Sequence, residues 1–298
     1  MNASKNKKYG FIVNTKSGRR NAKARVKLAE DFADANGLDY EIFYTEHRGH
    51  ATELAAQCAK EGYGVVVAVG GDGTSHEVAN ALVGTETALA ILPSGSGNDF
   101  PKSVDIPLDF MDALKVLANH NIKQVDVGLL ENEFFTNGIG FGMDGAVAHR
   151  FKDYSIIRGE LAYMLGAVIE AFSFPGFRAD VAVDHWRFSG KVLLAGASNG
   201  SYHGGKFQLA PSARVDDGLL DMYIIKNMPI LSRLVQIPKV LNGTHVSLDE
   251  VYIKGAARME VTLDKPVPAH MDGEPFILQS GYHKIEVKSK ALKVLSAK

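Results

Sequence analysis

Residues 65–80 read VVVAVGGDGTSHEVAN. Five small apolar residues run straight into Gly70-Gly71-Asp72-Gly73-Thr74, and a helix-like stretch follows. A buried strand, a turn with almost no side chains and a helix make one βα unit. Repeated, such units build a parallel sheet covered by helices. Glycine has no Cβ, so a turn of this kind lets the backbone approach a ligand closely. The N–H groups of the turn and of the helix N-terminus converge on one spot that attracts anions. Asp72 is the odd member, because a carboxylate among such amides repels phosphate unless a cation or a donor sits between them. The segment reads as a site for a nucleoside triphosphate with Mg²⁺.

The βα rhythm fills the first 125 residues. Apolar runs at 9–14, 40–44, 65–69 and 88–92 alternate with helical periodicity over 22–35, 51–60, 75–82 and 110–119. Ligands in such sheets bind beyond the carboxyl ends of the strands. Three Gly- or Ser-rich loops fall there, at 14–18, 70–74 and 93–99. One alone is an ordinary turn; three at corresponding strand ends point to one site.

From about residue 125 the pattern changes. Strand-like runs dominate at 125–130, 134–139, 178–183, 191–197, 219–225, 251–256, 259–263, 267–271 and 276–278, and helices interrupt only at 159–172 and 230–241. This predicts an antiparallel second domain, a β-sandwich. The extended stretch 284–295 is expected to return to the first domain. The expected class is therefore α/β plus all-β: a Rossmann-like parallel-sheet nucleotide domain over 1–125, completed by 288–298, and a sandwich over 126–287. A chain of 298 residues, 46% hydrophobic, is long enough for two cores.

The net charge of −1 argues against a surface built for nucleic acid. Residues 1–29 nevertheless hold nine Lys or Arg and no acid. A solvated helix face explains them, and so does attraction to phosphate or to an anionic membrane. The single cysteine, Cys58, excludes an intrachain disulfide and fits a reducing compartment, and its helical context makes it a small buried apolar residue. The N-terminus lacks the apolar core of a signal peptide. The most apolar helix, 161–174, contains Glu170 and is too short to span a bilayer. The ten histidines are scattered, and no His or Cys set shows zinc spacing.

An ordered series of motifs resembles the diacylglycerol kinase catalytic family, in particular its soluble bacterial lipid kinases. The series is Asn14-Thr15-Lys16-Ser17-Gly18, Gly70 to Thr74, Gly95-Ser96-Gly97-Asn98-Asp99-Phe100, then Asn137, Gly140, Gly142 and Asp144. Asn199-Gly200, Gly204-Gly205, Ala210-Pro211, Asp217-Gly218-Leu219-Leu220 and Asp272-Gly273-Glu274 follow. It covers nearly the whole chain. G-G-D-G-T alone is shared with other phosphotransferases. Thr15 stands for the family's proline, Ser96 for its threonine and His76 for a common asparagine.

The resemblance implies an ATP-dependent kinase that phosphorylates a lipid hydroxyl, with diacylglycerol the default acceptor. ATP is expected across Asn14, Thr15, Lys16, Ser17, Gly18, Thr45, Gly71, Asp72, Gly73, Thr74, Ser75, His76, Glu77, Ser96 and Asp99. Lys16 and Arg19 would neutralise phosphate charge. Asp72 and Asp99 would organise the Mg²⁺–nucleotide complex, although Asp99 also suits a helix N-cap. Glu274 is the expected general base, with Asp272 its runner-up or partner. From spacing alone, Asp272-Gly273 is a hairpin turn. The resemblance adds a structural Mg²⁺ at Arg214, Asp217 and Leu219. The acceptor is expected between the domains or on the second one, where 159–172 with Phe174 and Phe177 serves as a core helix or a lipid-tail surface. The implied partners are ATP, a membrane lipid and an anionic membrane surface; a homodimer stays open. The expected location is cytoplasmic, peripheral to the membrane when active. Two alternatives stand beside this reading: a kinase for a soluble acceptor such as NAD, and a catalytically silent nucleotide-binding regulator.

Overall fold

The computed structural model describes residues 7–15, 22–153 and 160–298. The chain divides into two compact units, residues 1–125 with 290–298, and residues 126–289.

The first unit runs β1 (Lys8–Val13), α1 (Ala22–Asn36), β2 (Asp39–Tyr44), α2 (His50–Lys60), β3 (Val65–Gly70), α3 (Asp72–Leu82), β4 (Ala88–Pro93), α4 (Asp99–Ser103) and α5 (Phe110–Asn119). The strands are parallel in the order β2-β1-β3-β4, with Tyr9 opposite both Tyr40 and Val65 and Val66 opposite Leu89. Every residue of β3 and β4 is buried, as parallel strands covered on both faces require. Near the C-terminus, Val294 pairs in parallel with Leu89, and Ser296 N–H donates to the Asn121 carbonyl. The strand order reverses between β1 and β3. Such a switch point opens a crevice above the carboxyl ends of the two strands. Cys58 is 1% exposed, and burial pushes its thiol up to about 11, so it packs as an inert apolar residue.

The sequence pattern starts the third helix at 75, but α3 begins at Asp72. The glycine-rich loop is in part the first turn of the helix. Gly73 lowers helix propensity and hides that turn from a periodicity reading. Gly70 fits because Thr74 folds back over it: a Cβ there would overlap the Thr74 side chain.

The second unit takes over within β5 (Ile122–Leu130). It continues β6 (Glu133–Phe135), β7 (Gly138–Gly142), α6 (Met143–Asp153), α7 (Glu160–Ser173), β8 (Phe177–Val183), β9 (Trp186–Ser198), β10 (Leu220–Lys226), α8 (Ile230–Leu241), β11 (Val251–Ala256), β12 (Arg258–Leu263), β13 (Val267–Met271), β14 (Glu274–Leu278) and β15 (Gly281–Leu295). Its strand pairs are antiparallel. β9 belongs to two layers. Its first half, from Trp186 to Val192, pairs with β8, which continues through β12 to β15. Its second half pairs with β7 on one side and β10 on the other, extending to β13–β14 and β11. One long strand that changes partners midway turns a single ribbon into a sandwich. Both layers feed one core that includes Phe141, Phe177, Val181, Met222, Ile224, Met259, Val261 and Ile285.

The run 134–139, expected as one strand, is split between β6 and β7, and α6 was not expected at all. Its sequence MDGAVAHRFKD carries Gly145 in the interior. That glycine is there for packing: a Cβ would strike the backbone of Pro268 and Ala269 on β13. On α7, Leu165, Ile169 and Phe172 are exposed, whereas Phe177 is core. Among the described residues, no helix is long and apolar enough to cross a membrane.

Candidate active site

In the first unit three loops interlock at the switch point. Asn14 N–H donates to the Val69 carbonyl and its Nδ2 reaches Thr74 Oγ1 at 3.2 Å. Thr45 N–H bonds the Val13 carbonyl, and Ser94 N–H the Gly70 carbonyl at 2.8 Å. Gly71 is the N-cap of α3 and supplies no side-chain acceptor to the first amides of the helix. An uncapped helix end beside glycines is a ready anion site. The glycines make the cradle: a Cβ on Gly95 would come 2.7 Å from Gly71 Cα, and one on Gly97 would come 2.7 Å from Asp72 Oδ2. The donor set and the open backbone fit a phosphate chain.

Asp72 does more than face that cradle. Its Oδ2 accepts from Asn98 N–H at 2.9 Å and its Oδ1 from Asp99 N–H at 3.0 Å. The carboxylate thus clamps the loop after β4 to the start of α3. The N-cap of α4 is Asn98, at φ 50, and Asp99 is the first helical residue, so Asp99 is not the cap. Asp99 Oδ1 lies 3.4 Å from Lys102 Nζ, which also donates to the Gly97 carbonyl at 3.0 Å. Lys102 is a cation at these loops that motif reading missed. Its signal was available as the third residue after Asp99 on a helix.

The remaining expected contacts sort by burial. Thr74, Ser75 and His76 are buried, so they offer backbone rather than side chains, and His76 is bonded to Asn80. Thr15 and Ser96 are exposed, and Thr45 is half-buried. Glu77 turns the other way: its carboxylate accepts from Gly49 N–H at 3.0 Å and Ala51 N–H at 3.2 Å, capping α2, whose own N-cap is a glycine. The carboxylate thus has a structural role beside its expected contact with nucleotide. Glu77→Ala is expected to lower stability by about 1–2 kcal/mol, read as a lower Tm. Lys16, Ser17 and Gly18, with Arg19 and Arg20, lie outside the described residues. Of the basic residues before position 30, Lys8 is paired with Glu41, which raises its pKa, and Lys27 with Asp31.

In the second unit, Asp272 and Gly273 form a two-residue hairpin turn between β13 and β14, both at positive φ, 49° and 86°. Positive φ at both central positions is the type I′ geometry that Asp-Gly favours. The Asp272 carboxylate is turned inward. It accepts from Thr136 N–H at 2.8 Å, Thr136 Oγ1 at 3.0 Å, Asn137 N–H at 2.8 Å and Gly138 N–H at 2.9 Å. A carboxylate with these four donors is engaged in structure, and the turn is pinned to the start of β7. Glu274, the next residue but one, is the first of β14 and half-buried.

Behind that turn lies a buried polar group absent from the motif reading as a unit. Asp144 Oδ2 is 3.3 Å from Tyr223 OH and 3.8 Å from His270 Nε2, and Ser198 Oγ is 2.7 Å from His203 Nε2. Burial drives the His203 ring down to about 4 and the Tyr223 phenol well up, so both are neutral near neutral pH. Gly140 is small because a Cβ would overlap Asp144.

The turn at 214–219 offers hard oxygen donors. Asp217 Oδ1 accepts from Leu219 N–H at 3.0 Å, which leaves Oδ2, and the turn is anchored by Gly218 N–H on the buried Asp126 carboxylate at 2.6 Å. The Arg214 side chain is exposed and faces Asp216, so only its carbonyl suits a cation. One carboxylate oxygen with backbone carbonyls fits Mg²⁺.

Residues 8–130 match the diacylglycerol kinase catalytic domain, and residues 137–296 match the YegS C-terminal NAD kinase beta sandwich-like domain. A "Probable lipid kinase YegS-like" protein of Pseudomonas aeruginosa is 30% identical over 93% of this chain and 91% of its own. The "Diacylglycerol kinase" of Bacillus subtilis is 26% identical over 90% of each. The crystal structure of a diacylglycerol kinase from Bacillus anthracis superposes with a TM-score of 0.75 at 22% identity, covering 97% of both chains. The last likeness concerns the fold, and it agrees with a parallel α/β unit followed by an antiparallel sandwich. The matches in both halves and the near full-length relatives place this chain in the diacylglycerol kinase catalytic domain family, a family of kinases, in its form with the YegS-type sandwich domain.

Proposed function

We propose that this kinase is an ATP-dependent lipid kinase that transfers the γ-phosphoryl group to a lipid hydroxyl, with diacylglycerol as default acceptor and phosphatidic acid as product. The observation that carries the donor half is the cradle of Gly71, Gly95 and Gly97 at the uncapped start of α3, with Asp72 locking its two sides. Phosphoryl transfer needs positioning and charge neutralisation more than covalent help from protein. The backbone of 71–76, Asn14, Thr45 and Ser96 would grip the nucleotide, joined by Thr15, Lys16, Ser17 and Gly18. Asp72 and Asp99 would hold Mg²⁺ directly or through water, and Lys102 adds positive charge beside them. Bound there, Mg²⁺ supplies neutralisation of phosphate charge. A second Mg²⁺ held by Asp217 and the carbonyls of Arg214 and Leu219 would stiffen its turn.

Glu274 is the general base. It accepts the acceptor's hydroxyl proton as the alcohol oxygen attacks phosphorus. An alcohol is a far weaker acid than a carboxylic acid, so proton transfer comes late and Glu274 first orients the hydroxyl. Asp272 is a positioning residue that fixes the turn on which Glu274 stands. The lipid half of the reading rests on relatives named as lipid and diacylglycerol kinases. It places the working enzyme at the face of an anionic membrane, drawn by the basic N-terminal stretch. The apolar residues exposed on α7 suit contact with acyl chains.

The test is incubation of the protein with γ-labelled ATP and Mg²⁺ against three acceptors: diacylglycerol in phosphatidylglycerol vesicles, a total lipid extract, and NAD. Label in a lipid phosphate is the expected result. Label in NAD alone would replace the lipid reading with the soluble-acceptor one, and ATP binding without transfer to any acceptor would favour a regulator.

A further inference from the structure

The loop between β2 and α2 brings His47, His50 and Glu53 together. One ligand atom from each lies within 4.8 Å of the others. The two imidazoles stack, with centroids 4.7 Å apart and planes 13° from parallel. His50 and Glu53 are three apart on α2 and share its face, and His47 precedes the helix by three. Motif reading saw no zinc spacing among the histidines. It began the helix at 51, which left His50 in a loop and broke the H-x-x-H-x-x-E pattern.

We infer that His47, His50 and Glu53 form a capture site for a divalent transition-metal ion of zinc type, separate from the magnesium of phosphoryl transfer. Two ring nitrogens and one carboxylate oxygen are a donor set that suits zinc, nickel or cobalt(II), while magnesium prefers oxygen alone. The hydrogen bonds fix the rings. His47 Nδ1 donates to the Arg48 carbonyl at 3.0 Å, which leaves the Nε2 lone pair outward. A backbone carbonyl holding the second nitrogen is the usual support of a metal-binding imidazole. His50 Nδ1 accepts from Glu46 N–H at 3.1 Å, so its Nε2 carries the proton in the neutral ring. Ligation at Nδ1 displaces that amide directly. Ligation at Nε2 moves the ring proton to Nδ1 and breaks the same bond. Metal capture therefore frees the Glu46 amide in either case, one residue after Thr45, whose N–H bonds the Val13 carbonyl at the nucleotide loops. The Arg48 guanidinium opposes a nearby cation, and Glu46 and Glu53 favour it.

The test is a titration of the full chain with Co²⁺ in excess Mg²⁺, followed by its visible ligand-field bands, with Zn²⁺ as competitor. Saturable binding that Zn²⁺ displaces is expected, accompanied by a shift of the Glu46 amide resonance. His47→Ala and Glu53→Gln should each weaken binding by roughly tenfold or more, with unchanged far-UV circular dichroism to show that α2 persists. No saturable binding, or binding that both variants leave intact, overturns the assignment. The readout is optical and independent of phosphoryl transfer, so its failure and the failure of the kinase reading are separable.

Discussion

Glu274→Gln is expected to lower kcat for phosphoryl transfer by about 10²–10⁴-fold, the usual loss when a positioned general base is removed. The substitution keeps the size and most of the hydrogen bonding of the side chain, so the hairpin should survive. Glu274 sits outside the two positive-φ positions, and its backbone pairs with Met271 whatever its side chain. The KM for ATP should stay within a factor of about two or three, because the nucleotide is assigned to loops of the first unit and a residue acting mainly in the transition state moves kcat rather than ground-state binding. Steady-state kinetics with a vesicle-borne acceptor, and a binding isotherm for a non-hydrolysable ATP analogue, separate the two effects. A variant with wild-type kcat would remove Glu274 from the reaction.

The glycine-rich loops at the strand ends were legible because glycine constrains backbone and sequence alike. The run from Gly70 to Thr74 reads as a close-approach turn, and although Asp72 to Thr74 already belong to α3, the structure shows why glycine is needed there and nearby, since side chains at 70, 95 and 97 would collide with Thr74, Gly71 and Asp72. What lay hidden were bonds between segments distant in sequence. The Asp72 clamp reaches 26 and 27 residues to Asn98 and Asp99. The Glu77 cap reaches back to 49 and 51. No local periodicity encodes such pairs. Helix α6 was hidden for another reason: Gly145 looks like a helix breaker but answers to the backbone of β13. The sandwich layers were legible as alternating strands, but not the division of β9 between them, which depends on distant partners on both sides: Ser198 pairs with Gly138 earlier in the chain and with Asp221 later.

Asp272→Ala is expected to destabilise the second unit by about 2–4 kcal/mol and to cut kcat at least as deeply as the loss of Glu274. Four donors, three of them backbone amides at the start of β7, lose their shared acceptor at once. Alanine is also disfavoured at φ 49, where the turn needs a residue that tolerates the left-handed region. Asp272→Asn separates these causes. Asparagine accepts the positive φ and keeps one acceptor oxygen, but turns an amide N–H₂ toward donors, so it should recover part of the stability and part of the rate. If Asp272 were instead the base, asparagine would be as inactive as alanine while folding well, and Glu274→Gln would keep its turnover. Thermal unfolding of both Asp272 variants beside their kcat values decides between the roles. Stability and rate falling and recovering together identify a residue that acts through the turn it holds. Rate lost from a protein of wild-type stability would identify the base.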